Sequence, residues 1–174
     1  MGQITWGVKG GANISTLGEF NVAYGPQLRF HAGLYYQQRL DAQYALAAEL
    51  HFSMQGARSK VISDRYLIYN YANLPIVMKF YFANDIYAEV GPQFGYLINA
   101  KAHDNGFTDT ITDEVKKFDL TVLAGAGKEM GFGNLGARFG LGLTNTSGAT
   151  VGSNTVFRNL LLQIYVAYRV KTLE

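Results

Sequence analysis

Two histidines and one glutamate are the side chains of this sequence that come closest to a catalytic or metal-binding set. In an extended chain, His31, His51 and Glu49 would share one face of two neighbouring strands. Imidazole and carboxylate groups transfer protons and bind zinc, but such sites need a positioned third ligand or a nucleophile. The sequence offers neither, so we expect these histidines to form hydrogen bonds inside the protein.

Other candidate groups for chemistry are weaker still. His103, Asp104 and Asp109 lack the spacing of a Ser-His-acid or metal motif. The GAG run at residues 125–127 lies inside a strand pattern and no helix follows it, so it does not form a phosphate-binding loop. The absence of cysteine excludes disulfides and thiolate metal sites. We therefore predict a protein that is not an enzyme, with no catalytic residues, no metal and no cofactor.

The composition indicates an extended, aromatic-rich chain with few charges. The sequence has 20 glycines, 12 tyrosines and 11 phenylalanines but only 3 prolines, which favours β-structure because aromatic side chains fit a pleated surface. Charged residues make up 16 % of the chain, against about 25 % in a typical soluble domain. The net charge of +2 provides no basic surface, so we expect no nucleic-acid partner. The length predicts a single domain over residues 1–174.

Alternation of apolar and polar residues organises the sequence. In the second predicted strand Leu28, Phe30 and Leu34 share one face, while Arg29 and His31 share the other. Eight segments show this pattern, which places alternate side chains on opposite faces of a strand. They cover residues 4–14, 27–39, 46–55, 71–82, 88–98, 118–129, 135–144 and 160–170.

The connections between these segments alternate between long and short. Long connections lie at about residues 15–26, 57–70, 101–117 and 145–158, and short ones at about 41–44, 83–85 and 130–134. Short turns on one side and long loops on the other are typical of barrels that span the bacterial outer membrane. No apolar run reaches the roughly 20 residues that a membrane helix needs, so only a closed barrel would carry this chain across a bilayer.

The content of the two strand faces favours a membrane barrel over a soluble one. One face carries no Lys, Arg, Asp or Glu over the strand centres, whereas the other is rich in Gly, Gln, Asn, Ser and Thr with isolated charges. A charge facing lipid at the midplane costs about 2–4 kcal/mol. We therefore predict an all-β, eight-stranded antiparallel up-and-down transmembrane β-barrel with short periplasmic turns and four longer extracellular loops. A soluble, lipocalin-like barrel that binds an apolar ligand stays open.

Charged side chains on the polar face would meet inside such a barrel. Unpaired charge in a narrow lumen is costly, so we expect a mutually neutralising, structural network. Its predicted members are Lys9, Arg29, Arg39, Glu49, Lys79, Glu89, Asp119, Glu129, Arg138 and Arg169. The hairpin spacing places Lys79 opposite Glu89, and Arg138 near Glu129. A narrow conducting pore is the alternative, in which these charges would set selectivity.

Aromatic side chains near the strand ends are candidates for the membrane–water interface, where amphipathic rings prefer to lie. The predicted interface aromatics are Trp6, Tyr36, Phe82, Tyr96, Phe118 and Tyr168. The lipid bilayer is therefore the first expected partner. Because such a barrel must be exported, we expect that a signal peptide preceded this chain, and that residues 1–2 and 173–174 are additions to the natural sequence.

Several runs resemble the PorT-like outer-membrane β-barrel family. They are GVKGGAN at residues 7–13, NLPIVMKFYF at 73–82, VGPQFGYL at 90–97, FD at 118–119 and GAG at 125–127. The resemblance covers nearly the whole chain outside the long loops. It implies an outer-membrane β-barrel and, because the namesake is associated with protein secretion, a component role in a secretion system.

The sequence thus predicts a small barrel of the bacterial outer membrane with a packed polar lumen. Its role is expected to be structural, or to depend on contacts of the extracellular loops with envelope or secretion proteins. A secretion component, a narrow pore and a soluble lipocalin-like binder are the alternatives.

Overall fold

The computed structural model describes residues 3–17, 24–59, 66–104, 106–112, 116–144 and 159–173. Within these residues the chain forms nine strands and one 3-10 turn at Ala83–Asp85. The strands are β1 (Ile4–Leu17), β2 (Tyr24–Arg39), β3 (Tyr44–Ser59), β4 (Tyr66–Tyr81), β5 (Ile86–Asp104), β6 (Phe107–Thr110), β7 (Phe118–Met130), β8 (Gly133–Gly142) and β9 (Asn159–Leu173). In this described part, no helix has the length and apolar character needed to cross a membrane.

Eight long strands close into a barrel. Each pairs antiparallel with the long strand before and after it in the chain, and β1 pairs with β9, so every long strand has two neighbours. The short strand β6 pairs with the last residues of β5, from Lys101 opposite Thr110 to Asp104 opposite Phe107. The predicted eight-stranded, antiparallel up-and-down barrel is therefore confirmed.

Long and short connections lie at opposite ends of the barrel. The short ones, residues 40–43, 82–85 and 131–132, define what we call the short-turn end. The other end, which we call the loop end, carries the four long connections. Residues 18–23, 60–65, 113–115 and 145–158 of these connections lie outside the described residues, as do residues 1–2 and 174.

The two faces of the barrel wall differ as the alternation predicts. On β2, the outward Leu28 is 72 % exposed whereas the inward His31 is 1 % exposed. Along the other long strands the large outward side chains are likewise apolar, and the lumen holds the buried polar side chains together with buried tyrosine, leucine, valine and alanine side chains. A lipocalin-like barrel needs the reverse orientation, with its apolar face inside. That alternative is therefore wrong for this chain.

Several strands extend further towards the loop end than predicted. β4 begins at Tyr66 instead of residue 71, and β5 ends at Asp104 instead of residue 98. The contrast between lipid and lumen creates the alternation, so the pattern fades where a strand rises above the lipid. At the other end, the last short turn is confined to residues 131–132, because β8 already begins at Gly133.

A register shift near the short-turn end changes which side chains of β9 point outward. Gly7 of β1 lies opposite Arg169, whereas Trp6 lies opposite Lys171, so one residue of β9 between them has no partner. Cross-strand partners lie on the same face of a sheet. Arg169 therefore points into the lumen, and Lys171 points outward beside Trp6.

A second shift lies near the loop end, between Asn70 and Tyr71 of β4. Tyr71 lies opposite Leu97 in the lumen, whereas Asn70 lies opposite Asn99. The Asn70 side-chain amide donates a 2.7 Å hydrogen bond to the Asn99 side-chain oxygen. This polar pair lies on the outer face directly beyond the apolar Ile98, and so marks the level at which the wall changes from apolar to polar.

Candidate functional site: the lumen

Four buried charged side chains meet in the middle of the lumen and form what we call the central charge cluster: Lys9, Glu49, Glu89 and Arg138. Arg138 of β8 donates from Nε to Glu89 Oε1 at 2.5 Å and from Nη1 to Glu49 Oε2 at 2.9 Å. It also bonds to Glu49 through Nη2. Lys9 Nζ lies 3.0 Å from both oxygens of Glu49. The cluster therefore joins β1, β3, β5 and β8 across the barrel.

The central charge cluster balances its own charge. Two cations face two carboxylates, and each of the four side chains has an exposure of 3 % or less. Taking single ions out of water costs several kcal/mol each, and pairing with well-placed hydrogen bonds offsets this cost. Because every member is bonded to another, the cluster fills the middle of the lumen with groups that are not available to an outside ligand.

Two tyrosines lie beside the central charge cluster, and their rings pack over two glycines of the barrel wall. Tyr87, Gly127, Gly136 and Tyr165 are successive cross-strand partners on β5, β7, β8 and β9. The two hydroxyls lie 2.9 Å apart, and the Tyr165 hydroxyl donates to Glu89 at 2.8 Å. A Cβ added at Gly136 would lie 2.6 Å from the Tyr165 ring. Glycine is therefore required here for the rings to lie against the wall; we call this set the Gly–Tyr row.

Lys79 is a cross-strand partner of Glu89, as the hairpin spacing leads one to expect. Its ammonium nevertheless bonds elsewhere, donating to Gln37 Oε1 at 2.8 Å. Gln37 in turn donates to the Tyr81 hydroxyl at 3.1 Å. Both oxygens of Glu89 bond to Arg138 instead.

A second ion cluster, called the rim cluster, lies at the short-turn end. Glu129 accepts from Arg39 at 3.0 Å and from Arg169 at 2.6 Å. The Arg39 guanidinium also lies 3.6 Å from the centre of the Tyr81 ring. Glu129 lies opposite Asn134, and Arg138 opposite Gly125. The predicted pairing of Arg138 with Glu129 is therefore wrong: two separate clusters take its place.

We expect the rim cluster to contribute little stability. Its side chains are 18–27 % exposed, and ion pairs in such partly hydrated positions contribute less than about 1 kcal/mol. Replacing Glu129 by Gln should therefore lower the free energy of unfolding in micelles by less than about 1 kcal/mol, and by less again in high salt. Urea unfolding at two salt concentrations measures this. A loss comparable to that of a central-cluster variant would contradict it.

Arg29 and Asp119 take part in neither cluster. Among the described residues they form no ion pair. Asp119 accepts from the hydroxyls of Thr121 at 2.9 Å and Thr144 at 2.5 Å. Arg29 donates to Gln27 at 3.3 and 3.2 Å. The structure thus brings eight of the ten predicted charges close to the two clusters, and leaves these two near the loop end.

The two lumen histidines lie together without forming a catalytic set. Their ring centres are 5.4 Å apart. His31 Nδ1 lies 2.7 Å from Asn13 Oδ1, and His51 Nδ1 lies 3.8 Å from Glu49 Oε2. Asn13 also bonds to Ser53 at 2.9 Å, and so ties β1 to β2 and β3. Among the described residues, no group of three or more His, Asp or Glu side chains is placed to hold a metal ion.

An apolar cluster closes the lumen near the loop end, which the prediction of a polar lumen missed. Its buried members are Ala57, Tyr69, Tyr71, Leu97 and Ala100, with Leu67 and Ile111 packed against them. The alternation of the fourth predicted strand, continued back from residue 73, would have placed both tyrosines inside. Smaller buried apolar clusters lie elsewhere in the lumen, at Ala45, Tyr81 and Tyr87 and at Ala47, Val77 and Leu123, so the lumen is mixed and the largest apolar cluster is the one near the loop end.

The six predicted interface aromatics all lie on the outer surface. Trp6 and Tyr36 are cross-strand partners near the short-turn end, where Phe82 and Tyr168 also lie. Tyr96 and Phe118 are partners nearer the loop end, with ring centres 5.2 Å apart in an edge-to-face arrangement. The aromatics therefore occur at two levels of the wall.

A closed barrel with an apolar outer wall and a central cluster of paired charges in its lumen defines a small integral membrane barrel. A family model described as the outer membrane protein beta-barrel domain matches residues 2–148. The chain therefore belongs to that family, and lies in the bacterial outer membrane in contact with its lipid. The finer PorT-like assignment is not confirmed by this match. No curated protein sequence matches the chain.

Solved outer-membrane barrels share the fold. The attachment invasion locus protein Ail of Yersinia pestis is 14 % identical with a TM-score of 0.58, and the match covers 97 % of this chain and 98 % of that one. A complex of Ail with the heparin analogue sucrose octasulfate has a TM-score of 0.55 at the same identity and coverage. Neisserial surface protein A is 10 % identical with a TM-score of 0.59, covering 97 % and 99 %. At these identities the likeness concerns the fold.

Proposed function

We propose that this protein is a surface-interaction barrel, which binds its partners through the loop end and uses the lumen as packed support. The observation that carries the proposal is the β5–β6 hairpin. It rises beyond the lipid-facing part of the wall and exposes Phe107, which is 78 % exposed beside Gly106 with φ +88°. An exposed aromatic side chain at a hairpin tip can act as an anchor for a partner, because aromatic residues are enriched among the residues that contribute most to binding.

The neighbourhood of the hairpin combines aromatic rings with cations. His103 stacks on Tyr66 with ring centres 4.6 Å apart, and bonds to Thr108 at 2.9 Å. The Arg29 guanidinium lies 6.0 Å from the centre of the Tyr66 ring. Lys101 and the nearby Lys116 and Lys117 are exposed. Stacking rings flanked by cations suit an anionic saccharide, because rings contact sugar faces while cations pair with sulfate or phosphate.

The test uses the refolded barrel in lipid nanodiscs with heparin as the probe, which the Ail complex makes the first choice. Replacing Phe107 by Ser together with Lys101 by Ala should weaken heparin binding about tenfold or more, because an apolar contact and an ion pair are both lost. Phe132→Ser is the matched control, since this exposed aromatic lies in a short turn at the other end. Absence of heparin binding, or equal loss in the control, would contradict the proposal.

The charged lumen is assigned a structural role and the six aromatics an interfacial one. Support for the lumen role comes from the central charge cluster, whose members are buried and bond to one another in the middle of the lumen. The central charge cluster also disfavours the narrow-pore alternative. Support for the interfacial role comes from the two levels of exposed rings on the wall. No group in the described residues suggests catalysis.

A component role in protein secretion is the second candidate. The observation that favours it is the PorT-like resemblance of the runs at residues 73–82 and 90–97. Deleting the gene and measuring the export of secreted proteins tests this role. Normal export in the deletion strain would contradict the secretion role, and the surface-interaction role would then be the remaining candidate.

A further inference from the structure

An apolar groove crosses the outer wall of four strands near the short-turn end. Its volume is about 320 Å³, and its walls are formed by Trp6, Leu34, Tyr36, Ala48, Leu50 and Leu74. Ala48 lies between the rows of larger side chains, as the partner of Tyr36 on β2 and Ile76 on β4. Because its side chain is small, the wall is indented at this position, and we call this feature the Ala48 groove.

The position of the groove defines what reaches it. It opens outward from the lipid-facing wall, and outer-membrane barrels place their short turns on the periplasmic side. The groove therefore faces the phospholipid leaflet, where acyl chains are the available apolar occupants. An acyl chain that fills a preformed dent gains contacts that a flat wall does not offer.

A cation stands at the edge of the groove. The register shift between β1 and β9 turns Lys171 outward, opposite Trp6, and Lys171 is exposed. Trp6 is thus a wall of the groove on one side and a neighbour of Lys171 on the other. An aromatic ring and a lysine at this level of a membrane protein match the glycerol and phosphate region of a lipid.

We propose that the Ala48 groove and Lys171 together form a binding site for one anionic phospholipid, whose acyl chain lies in the groove and whose phosphate pairs with Lys171. The occupant is a lipid of the membrane itself. Zwitterionic phospholipids bind to this site less strongly, because their own ammonium group competes with Lys171 for the phosphate. This proposal is independent of any role of the loops.

Trp6 is the single tryptophan of the chain, so its fluorescence reports on the groove directly. The barrel is reconstituted in vesicles that contain a low fraction of phosphatidylglycerol or phosphatidylcholine with brominated acyl chains, which quench tryptophan on contact. We expect the brominated phosphatidylglycerol to bind about fivefold more strongly at Trp6, the order expected of one lysine near an anionic lipid. Equal quenching by the two lipids would overturn the proposal.

Two pairs of variants distinguish binding at the Ala48 groove from a general attraction of anionic lipids to the lysines of the barrel. Lys171→Ala should abolish the preference for phosphatidylglycerol, whereas Lys128→Ala should preserve it; Lys128 is an exposed, outward lysine at the short-turn end of β7, away from the groove. Ala48→Leu should weaken the quenching of Trp6 by both brominated lipids, because it fills the dent that holds the acyl chain, whereas Ala126→Leu, on the outer face of β7, should not. If either control variant has the same effect as the variant that it is matched with, the proposed lipid site is wrong. Heat-modified gel migration verifies folding, and Ala48→Val replaces a variant that does not insert.

Discussion

Replacing Arg138 by Ala is expected to lower the free energy of unfolding by about 3–5 kcal/mol, because it leaves two carboxylates buried without their main partner. Arg138 supplies bonds to both Glu49 and Glu89, and its side chain is fully buried. The variant should also conduct ions in a planar bilayer, since the guanidinium fills the centre of the lumen. Urea unfolding in micelles, followed by Trp6 fluorescence, measures the first effect.

Two further variants test the cause of this loss. Arg29→Ala removes an arginine that bonds only to Gln27 among the described residues, so it should cost less than about 1 kcal/mol. Adding Glu89→Gln to Arg138→Met should recover part of the loss, because Lys9 still pairs with Glu49 and no buried carboxylate is then left without a cation. An Arg138→Ala barrel that unfolds like the wild type would show that the central charge cluster does not stabilise the fold.

Replacing Gly136 by Val is expected to lower the free energy of unfolding by about 1–3 kcal/mol, the usual range for adding bulk to a filled interior. Its Cβ would lie 2.6 Å from the ring and hydroxyl of Tyr165. The ring must then leave the wall, which breaks its bonds to Tyr87 and Glu89. Urea unfolding of the refolded variant measures the cost.

The control for Gly136 is Gly131→Ala, in the last short turn. Nothing lies within 4 Å of a Cβ added there, so stability should change by less than about 0.5 kcal/mol. In a Tyr165→Ala background, Gly136→Val should cost much less than in the wild type, because the colliding ring is gone. An equal cost in both backgrounds would exclude the Gly–Tyr row as the reason.

The sequence was sufficient to assign strand faces but not all strand ends. Leu28 and His31 were placed correctly because lipid and lumen impose opposite demands on neighbouring residues. The alternation assigns Tyr66 to a loop, since β4 has no lipid on either face there. The outward direction of Lys171 was also hidden, because it depends on a shift in the β1–β9 register that local alternation does not reveal.

The ion pairs show a similar limit. Spacing from a turn locates cross-strand partners, and it placed Lys79 opposite Glu89. It does not locate contacts across the lumen, which depend on the stagger of all eight strands. Arg138 and Glu49 are 89 residues apart in the sequence and bond through the middle of the barrel. The charged residues of the lumen are therefore predictable from the sequence, whereas their bonding and the apolar cluster near the loop end are not.

The long strands end at different heights at the loop end of the barrel. β5 has 19 residues and β8 has 10, and both start at the short-turn end. With a rise of about 3.4 Å per residue and a tilt of about 40°, the β5 side stands roughly 20 Å higher than β8. A partner that approaches the loop end on this side therefore meets the β5–β6 hairpin before it reaches the described end of β8.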